Sequence, residues 1–94
     1  MYARLVRFTF GPGKRDAAEA MAHEIAPLIA SQPGCQSVTV FGDDTDGECG
    51  IFVLWDNSEH ANTAAAIVRP KLDEHLAGKV LGPPDTRLFA VFPT

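Results

Sequence analysis

His75, Arg4 and Arg7 are the side chains in this sequence best placed by type and spacing to act on a small molecule. His75 lies three residues beyond Leu72 and seven beyond Val68, which on a helix sets it on or beside an apolar stripe. A neutral imidazole there can take a proton from a phenol near neutral pH. The plainer reading is a half-buried histidine bonded to a backbone carbonyl. Arg4 and Arg7 are three positions apart, so in a strand they point to opposite faces. One must approach a pocket and the other an interface or its rim, and the spacing does not say which. A guanidinium in a pocket attracts an anionic or phenolate ligand by bidentate hydrogen bonding; one at an interface pairs with a carboxylate.

The other reactive residue types form no constellation. His60 follows a helix-capping sequence and lies off the apolar stripe, while His23 sits opposite another stripe, so both read as solvated. The three histidines share no metal-ligand spacing with one another or with a cysteine, and no metal is expected. Cys35 and Cys49 each open a strand on either side of one turn. Paired as a hairpin they would be roughly 20 Å apart at ~3.3 Å per residue, too far for a disulfide. They read as structural thiols. The acidic run Asp43-Asp44-Thr45-Asp46-Gly47-Glu48 lacks the helices and twelve-residue length of an EF-hand, so it reads as a solvated hairpin tip. Gly11-Pro12-Gly13-Lys14 lacks the spacing of a phosphate loop, and no dinucleotide-binding glycine pattern occurs.

The elements that must position these residues are legible. Tyr2–Phe10 mixes Leu5, Val6, Phe8, Thr9 and Phe10 as a first strand, broken by Gly11-Pro12-Gly13. Lys14–Ser31 carries Ala18, Met21, Ala22, Ile25, Leu28 and Ile29 at helical spacing, with Pro27 expected to kink it. Cys35–Gly42 is a second strand, Asp46-Gly47 a two-residue turn, and Gly50–Trp55 the returning strand. Asp56-Asn57-Ser58 caps a second helix with Ala61, Ala65, Val68 and Leu72 on its buried side. Pro70 is expected to split that helix, and Thr86–Phe92 closes the domain as a last strand. The order βαββαβ is the ferredoxin-like arrangement: an α+β fold with a four-stranded antiparallel sheet and both helices on one face.

That arrangement leaves a face uncovered. Ile51-Phe52-Val53-Leu54-Trp55 and Leu88-Phe89-Ala90-Val91-Phe92 are apolar without alternation and demand cover on both sides. Two helices can roof one side only, so a homodimer through sheet faces is expected. With 94 residues the chain makes one domain, 1–94, whose own core is modest. The net charge of −4 and scattered basic residues argue against nucleic acid as a partner. No apolar run approaches a membrane span and no leader pattern opens the chain, so a cytoplasmic protein is expected.

Several local signatures in this order resemble the antibiotic biosynthesis monooxygenase family of dimeric α+β barrels. They are the opening strand with Gly11-Pro12-Gly13-Lys14, the Pro33-Gly34-Cys35 link, and Phe52-Val53-Leu54-Trp55 running into Asp56-Asn57-Ser58-Glu59. The resemblance implies a homodimer with a pocket between each sheet and its helices. It also implies oxygenation of an aromatic or quinone-like molecule without cofactor, the substrate carbanion itself reducing dioxygen. The haem-degrading branch is disfavoured: its first-strand asparagine aligns with Val6 and its helical tryptophan with about Ala64, leaving only His75. Of the Asn, Trp and Tyr around the oxygenating pocket, Asn62 is the surviving polar group, with His75 beside it as the catalytic candidate. Trp55 is expected to pack at a strand end, and Arg4 and Arg7 to bind substrate. The alternative is a non-catalytic dimeric barrel that binds a small apolar ligand or serves a stress-related role.

Overall fold

Alternation along the first strand, β1 (Tyr2–Thr9), sorts the whole molecule into a covered and an open side. In this computed structural model, which describes residues 1–94, β1 is followed by α1 (Arg15–Ala30), β2 (Cys35–Gly42), β3 (Glu48–Trp55), α2 (Ser58–Leu76) and β4 (Asp85–Ala90). The strands form one antiparallel sheet in the order β2-β3-β1-β4. Residues directly opposite across an antiparallel pair share a face. Arg4 opposite Val53 and Leu88, Val6 opposite Ile51, and Phe8 opposite Cys49 therefore all point toward the helices. Leu5 opposite Phe52 and Arg87, with Arg7 opposite Gly50, point the other way.

The core lies on the helix side. Met21, Ile25 and Ile29 of α1, and Ala61, Ala64, Val68, Leu72 and Leu76 of α2, pack on Phe8, Phe10, Ile51, Val53 and Trp55. Removing such a large apolar side chain from water stabilises by about 1.5–3 kcal/mol each. The Ile51–Trp55 run divides as strand geometry requires. Ile51, Val53 and Trp55 are 1%, 2% and 3% exposed, while Phe52 on the other face remains 38% exposed. Phe41 and Phe89 stand exposed on that same open side.

The structure departs from the sequence expectations at three places. Pro70 does not split the second helix: α2 runs unbroken from Ser58 to Leu76, and α1 likewise passes through Pro27. Proline removes one backbone donor, but Val68 and Leu72 on either side of Pro70 are both buried and hold the two halves on one core. The hairpin is longer than a two-residue turn. Asp43 N donates to Glu48 O and Gly47 N to Asp43 O, both at 2.8 Å, so Asp44–Gly47 form a four-residue loop. Only Gly47 in that loop has positive φ (+76°). Asp43 and Asp46 carboxylates accept from Thr45 N and Glu48 N, which folds the acidic tip back on its own backbone. Finally, regular pairing in β4 ends at Ala90, with one more bond from Val91 N to Met1 O at 3.0 Å.

Two local devices fix the frame of the sheet. Phe10 N donates to Gly47 O at 2.9 Å, tying the hairpin tip to the end of β1. A Cβ on Gly47 would run into the backbone of Gly11, so the close approach requires glycine. At the start of α2, the Asn57 side chain accepts from His60 N at 2.8 Å, the N-cap bond that the Asp56-Asn57-Ser58 sequence foretells.

Candidate functional site

The covered face of the sheet carries a small, partly open cavity where α2 presents alanines to it. Ala61, Ala64 and Ala65 lie over Ile51 and Val53, and small side chains there leave about 60 Å³ unfilled. Val6, Val68 and Leu72 complete walls that are almost wholly apolar, with Arg4, Arg69 and Thr86 also among the lining residues. That volume holds about two water molecules at ~30 Å³ each, whereas sites for drug-sized ligands span roughly 300–1,000 Å³. A bicyclic ligand is larger than that volume.

Arg4 is one of two arginines that line this cavity. It projects from a central strand with Val53 and Leu88 as neighbours, and its Nη2 donates to Asn62 Oδ1 on α2 at 2.9 Å. Asn62 is neutral, so this guanidinium has no carboxylate partner, and burial lowers its pKa from the ordinary arginine value. The contrast with its neighbours is chemical. Arg7 is ion-paired with Glu48, Arg15 with Glu19 and Asp44, and Arg69 with Asp73, while Arg87 stacks over Phe89 at 4.8 Å. Hydrogen bonds to their carboxylates push the pKa values of Arg7 and Arg15 up.

Arg4 lines the cavity and is bonded to Asn62, which does not line it, and Arg7 is at neither. Arg7 lies on the open face of the sheet, where Glu48 takes its guanidinium. His75 also lies elsewhere. Its Nε2 is 3.0 Å from Glu24 Oε2 on α1, with Lys71 Nζ 3.7 Å from the other carboxylate oxygen. The imidazole belongs to a contact between the two helices and is not among the residues lining the cavity. His60 pairs with Asp56 at 2.7 Å, a bond that is the main cause of the depressed Asp56 pKa.

Trp55 is the residue that sequence reasoning undervalued. It is 3% exposed, lines the cavity, and its indole Nε1–H is buried with no hydrogen-bond partner. A buried, unpaired N–H costs about 1–3 kcal/mol, and this one is closed to water as well as unbonded. The signal in the sequence was that an indole needs a partner for its N–H when buried. Its position at a strand end made it look like packing alone.

A second, wider groove of about 570 Å³ runs beside the hairpin tip and the start of α1, between Phe10, Val40 and Asp43. Arg15 there pairs with Glu19 and Asp44, while Lys14, also on its wall, makes no ion pair. Cys49 reaches it, but burial, followed by nearby Asp44, Asp46 and Glu48, raises the thiol pKa and makes it a poor nucleophile. Cys35 and Cys49 are both free, at opposite ends of the β2–β3 ladder. No group of three or more His, Cys, Asp or Glu side chains is arranged to hold a metal ion. No helix is long and apolar enough to cross a membrane.

Comparison with known proteins agrees with this architecture. An antibiotic biosynthesis monooxygenase from Nitrosomonas europaea, its function itself only inferred, superposes with a TM-score of 0.84 at 12% identity, covering 99% of this chain and 100% of the other. A protein from Mycobacterium tuberculosis gives 0.82 at 16% identity over 99% and 96% of the two chains. SnoaB from Streptomyces nogalater, described as a cofactor-independent oxygenase, gives 0.79 at 22% identity over 99% and 94%. No curated protein matches at a significant level. At these identities the structural likeness establishes the fold. The sequence itself matches the profile of the family described as "Antibiotic biosynthesis monooxygenase" over residues 1–66. With a ferredoxin-like sheet, an apolar cavity under α2 and a family match over two thirds of its length, this chain belongs to the antibiotic biosynthesis monooxygenase family.

Proposed function

We propose that this protein is a cofactor-independent monooxygenase acting on an aromatic or quinone-like small molecule in the cavity between sheet and α2. The observation that carries this reading is an apolar cavity between sheet and α2 whose lining includes Arg4, an arginine with no carboxylate partner. In the reaction, a ring methylene flanked by conjugated oxygens loses a proton, and the carbanion so formed reduces dioxygen and bonds to it. The second hydrogen of that carbon then leaves as a proton while the O–O bond breaks, giving a carbonyl and one water. The substrate supplies all the electrons. What the protein must supply is stabilisation of negative charge on the substrate oxygen as the carbanion forms, together with exclusion of bulk water. Donors fixed in a low-dielectric site perform that task, and losing one typically costs 10²–10³ in rate, roughly 2.7–4 kcal/mol. In this reading Arg4 stabilises that charge, with Asn62 holding the guanidinium in position.

Oxygen uptake with a panel of anthrones and dihydroxynaphthalenes tests this function. Turnover that falls about 10²-fold in Arg4→Met supports it. Absence of uptake across the panel, with ligand binding retained, refutes it in favour of a non-catalytic ligand-binding barrel. One observation favours that second reading: no histidine or carboxylate lines the cavity to accept the first proton.

The same proposal includes a homodimer through the open sheet faces. Phe41, Phe52 and Phe89 are 50%, 38% and 37% exposed there, an apolar surface that a second sheet would remove from water. Phe52→Asp buries an unpaired charge in that interface and gives a monomer or an insoluble chain by light scattering. A soluble native-like dimer of that variant refutes the sheet-to-sheet arrangement. The two free thiols suit a reducing compartment such as the cytoplasm.

A further inference from the structure

At about 570 Å³, against about 60 Å³ under α2, the groove beside the hairpin tip has the volume of a small-molecule site, roughly 300–1,000 Å³. The two share no lining residue. Small residues keep the groove open: Ala18 and Ala22 of α1 line it opposite the hairpin, and a Cβ on Gly13 would meet nothing within 4 Å. Phe10 and Cys49, 3% and 5% exposed, give it an apolar floor together with Val40. Charges of both signs stand around that floor. Arg15 joins the two walls, bonding Glu19 on its own helix and Asp44 on the hairpin, both at 2.7 Å. Lys14 and Asp43 also line the groove, and neither forms an ion pair with the other or with any other residue. Asp43 Oδ1 accepts from Thr45 N at 2.8 Å, and the second carboxylate oxygen has no partner.

From this arrangement we infer that the groove is a second binding site, for a free α-amino acid with a large apolar side chain, its carboxylate at Lys14 and its ammonium group at Asp43. An apolar floor with one unpaired charge of each sign beside it matches a zwitterion joined to an apolar body. A singly charged ligand satisfies one of the two groups and is repelled by the other. The remaining charges favour the ammonium end on the hairpin side, because Arg15 faces two carboxylates and leaves that trio with one excess negative charge. The side chain of the ligand lies over Phe10 and Val40 against Ala18 and Ala22, where its removal from water supplies most of the affinity. Lys14 and Asp43 are exposed, so each charged contact is screened by water and contributes about 1.5–5-fold. Discrimination comes from having both.

Three probes with one ring in common test this by calorimetric titration of the whole chain: L-phenylalanine, phenethylamine, which lacks the carboxylate, and 3-phenylpropanoate, which lacks the ammonium group. L-Phenylalanine should bind more tightly than either analogue, by about 1.5–5-fold for each missing charge. Lys14→Met should bring L-phenylalanine and phenethylamine to equal affinity while the margin over 3-phenylpropanoate persists. Asp43→Asn, whose amide oxygen can still accept from Thr45 N, should do the reverse. The place of binding is read at Cys49. In Cys35→Ser it is the only thiol, and bound L-phenylalanine should slow its modification by a soluble thiol reagent. No binding of any probe, affinity for an analogue equal to or above that for L-phenylalanine, or margins unchanged by both substitutions overturns the inference. Binding that leaves Cys49 modification unslowed overturns it as well, by putting the ligand elsewhere.

Discussion

Gly47 and Gly78 offer a matched test of whether the hairpin tip is held by contact with β1 or only by its own turn. Both have positive φ, +76° and +70°. Placing alanine at either position therefore meets the same backbone penalty, about 1–2 kcal/mol for a left-handed residue with a side chain. Their surroundings differ. A Cβ on Gly78 would meet nothing within 4 Å, whereas one on Gly47 would overlap the backbone of Gly11. Backbone cannot rotate aside as a side chain can, so the tip must lift. Lifting it breaks the Phe10 N to Gly47 O bond, which is 2.9 Å long, beside a fully packed Phe10. Leaving that donor unpaired adds about 1–3 kcal/mol. Gly78→Ala should thus destabilise by about 1–2 kcal/mol and Gly47→Ala by roughly 3 kcal/mol or more. For a domain of this size the second loss lowers Tm by about 12–24 °C. Urea unfolding followed by Trp55 fluorescence measures both, with the m-value expected to stay constant. Equal destabilisation by the two substitutions would refute the contact argument.

Other perturbations probe the helices and their charges. His75→Ala should weaken the α1–α2 contact with Glu24 yet leave turnover per folded molecule unchanged, measured by oxygen uptake corrected for folded fraction; a 10²-fold drop would return the imidazole to the reaction. Asn57→Ala removes the N-cap bond to His60 N and should cost about 1 kcal/mol in urea unfolding, against a few tenths for Asn57→Gly. The Asp56 pKa is depressed chiefly by its hydrogen bond to His60, so its contribution to stability is present above the unfolded value near 3.8 and disappears as pH falls through the lower folded value. His60→Gln should remove most of that acid-side dependence in a pH series of thermal melts, and an unchanged series would show that the pair does not contribute.

The architecture was legible because it rests on periodicities that the core enforces. The Ile51–Trp55 run, the α1 stripe through Met21, Ile25 and Ile29, and the Asn57 cap all fell where the sequence placed them. Pro70 misled because local propensity gave way to the burial of Val68 and Leu72 around it. The site was legible only in part. That Arg4 and Arg7 face opposite ways follows from strand alternation, but which one meets the helices depends on register with β3, a long-range fact. His75 sat on the correct side of α2 to be buried and found Glu24 of α1 instead of the cavity. The orphaned Trp55 N–H reflects the absence of an acceptor in three dimensions, which no spacing of residues encodes.

The central place of β1 also shapes how the chain reaches its native state. Its partners are β3, about forty residues later, and β4, about eighty residues later, while β2 and β3 pair locally through the Asp44–Gly47 loop. During synthesis the first strand made is therefore the last to be flanked on both sides. Until residues 48–55 emerge, Leu5, Val6, Phe8 and Phe10 have no strand beside them, and the β4 edge stays vacant until residues 85–90 follow. The β2–β3 hairpin with α1 closes the shortest loops and is the natural nucleus. Nascent chains halted before β3 should accordingly carry β1 as an exposed, protease-sensitive and aggregation-prone segment, and β1 should gain protection in a single step once β3 is available.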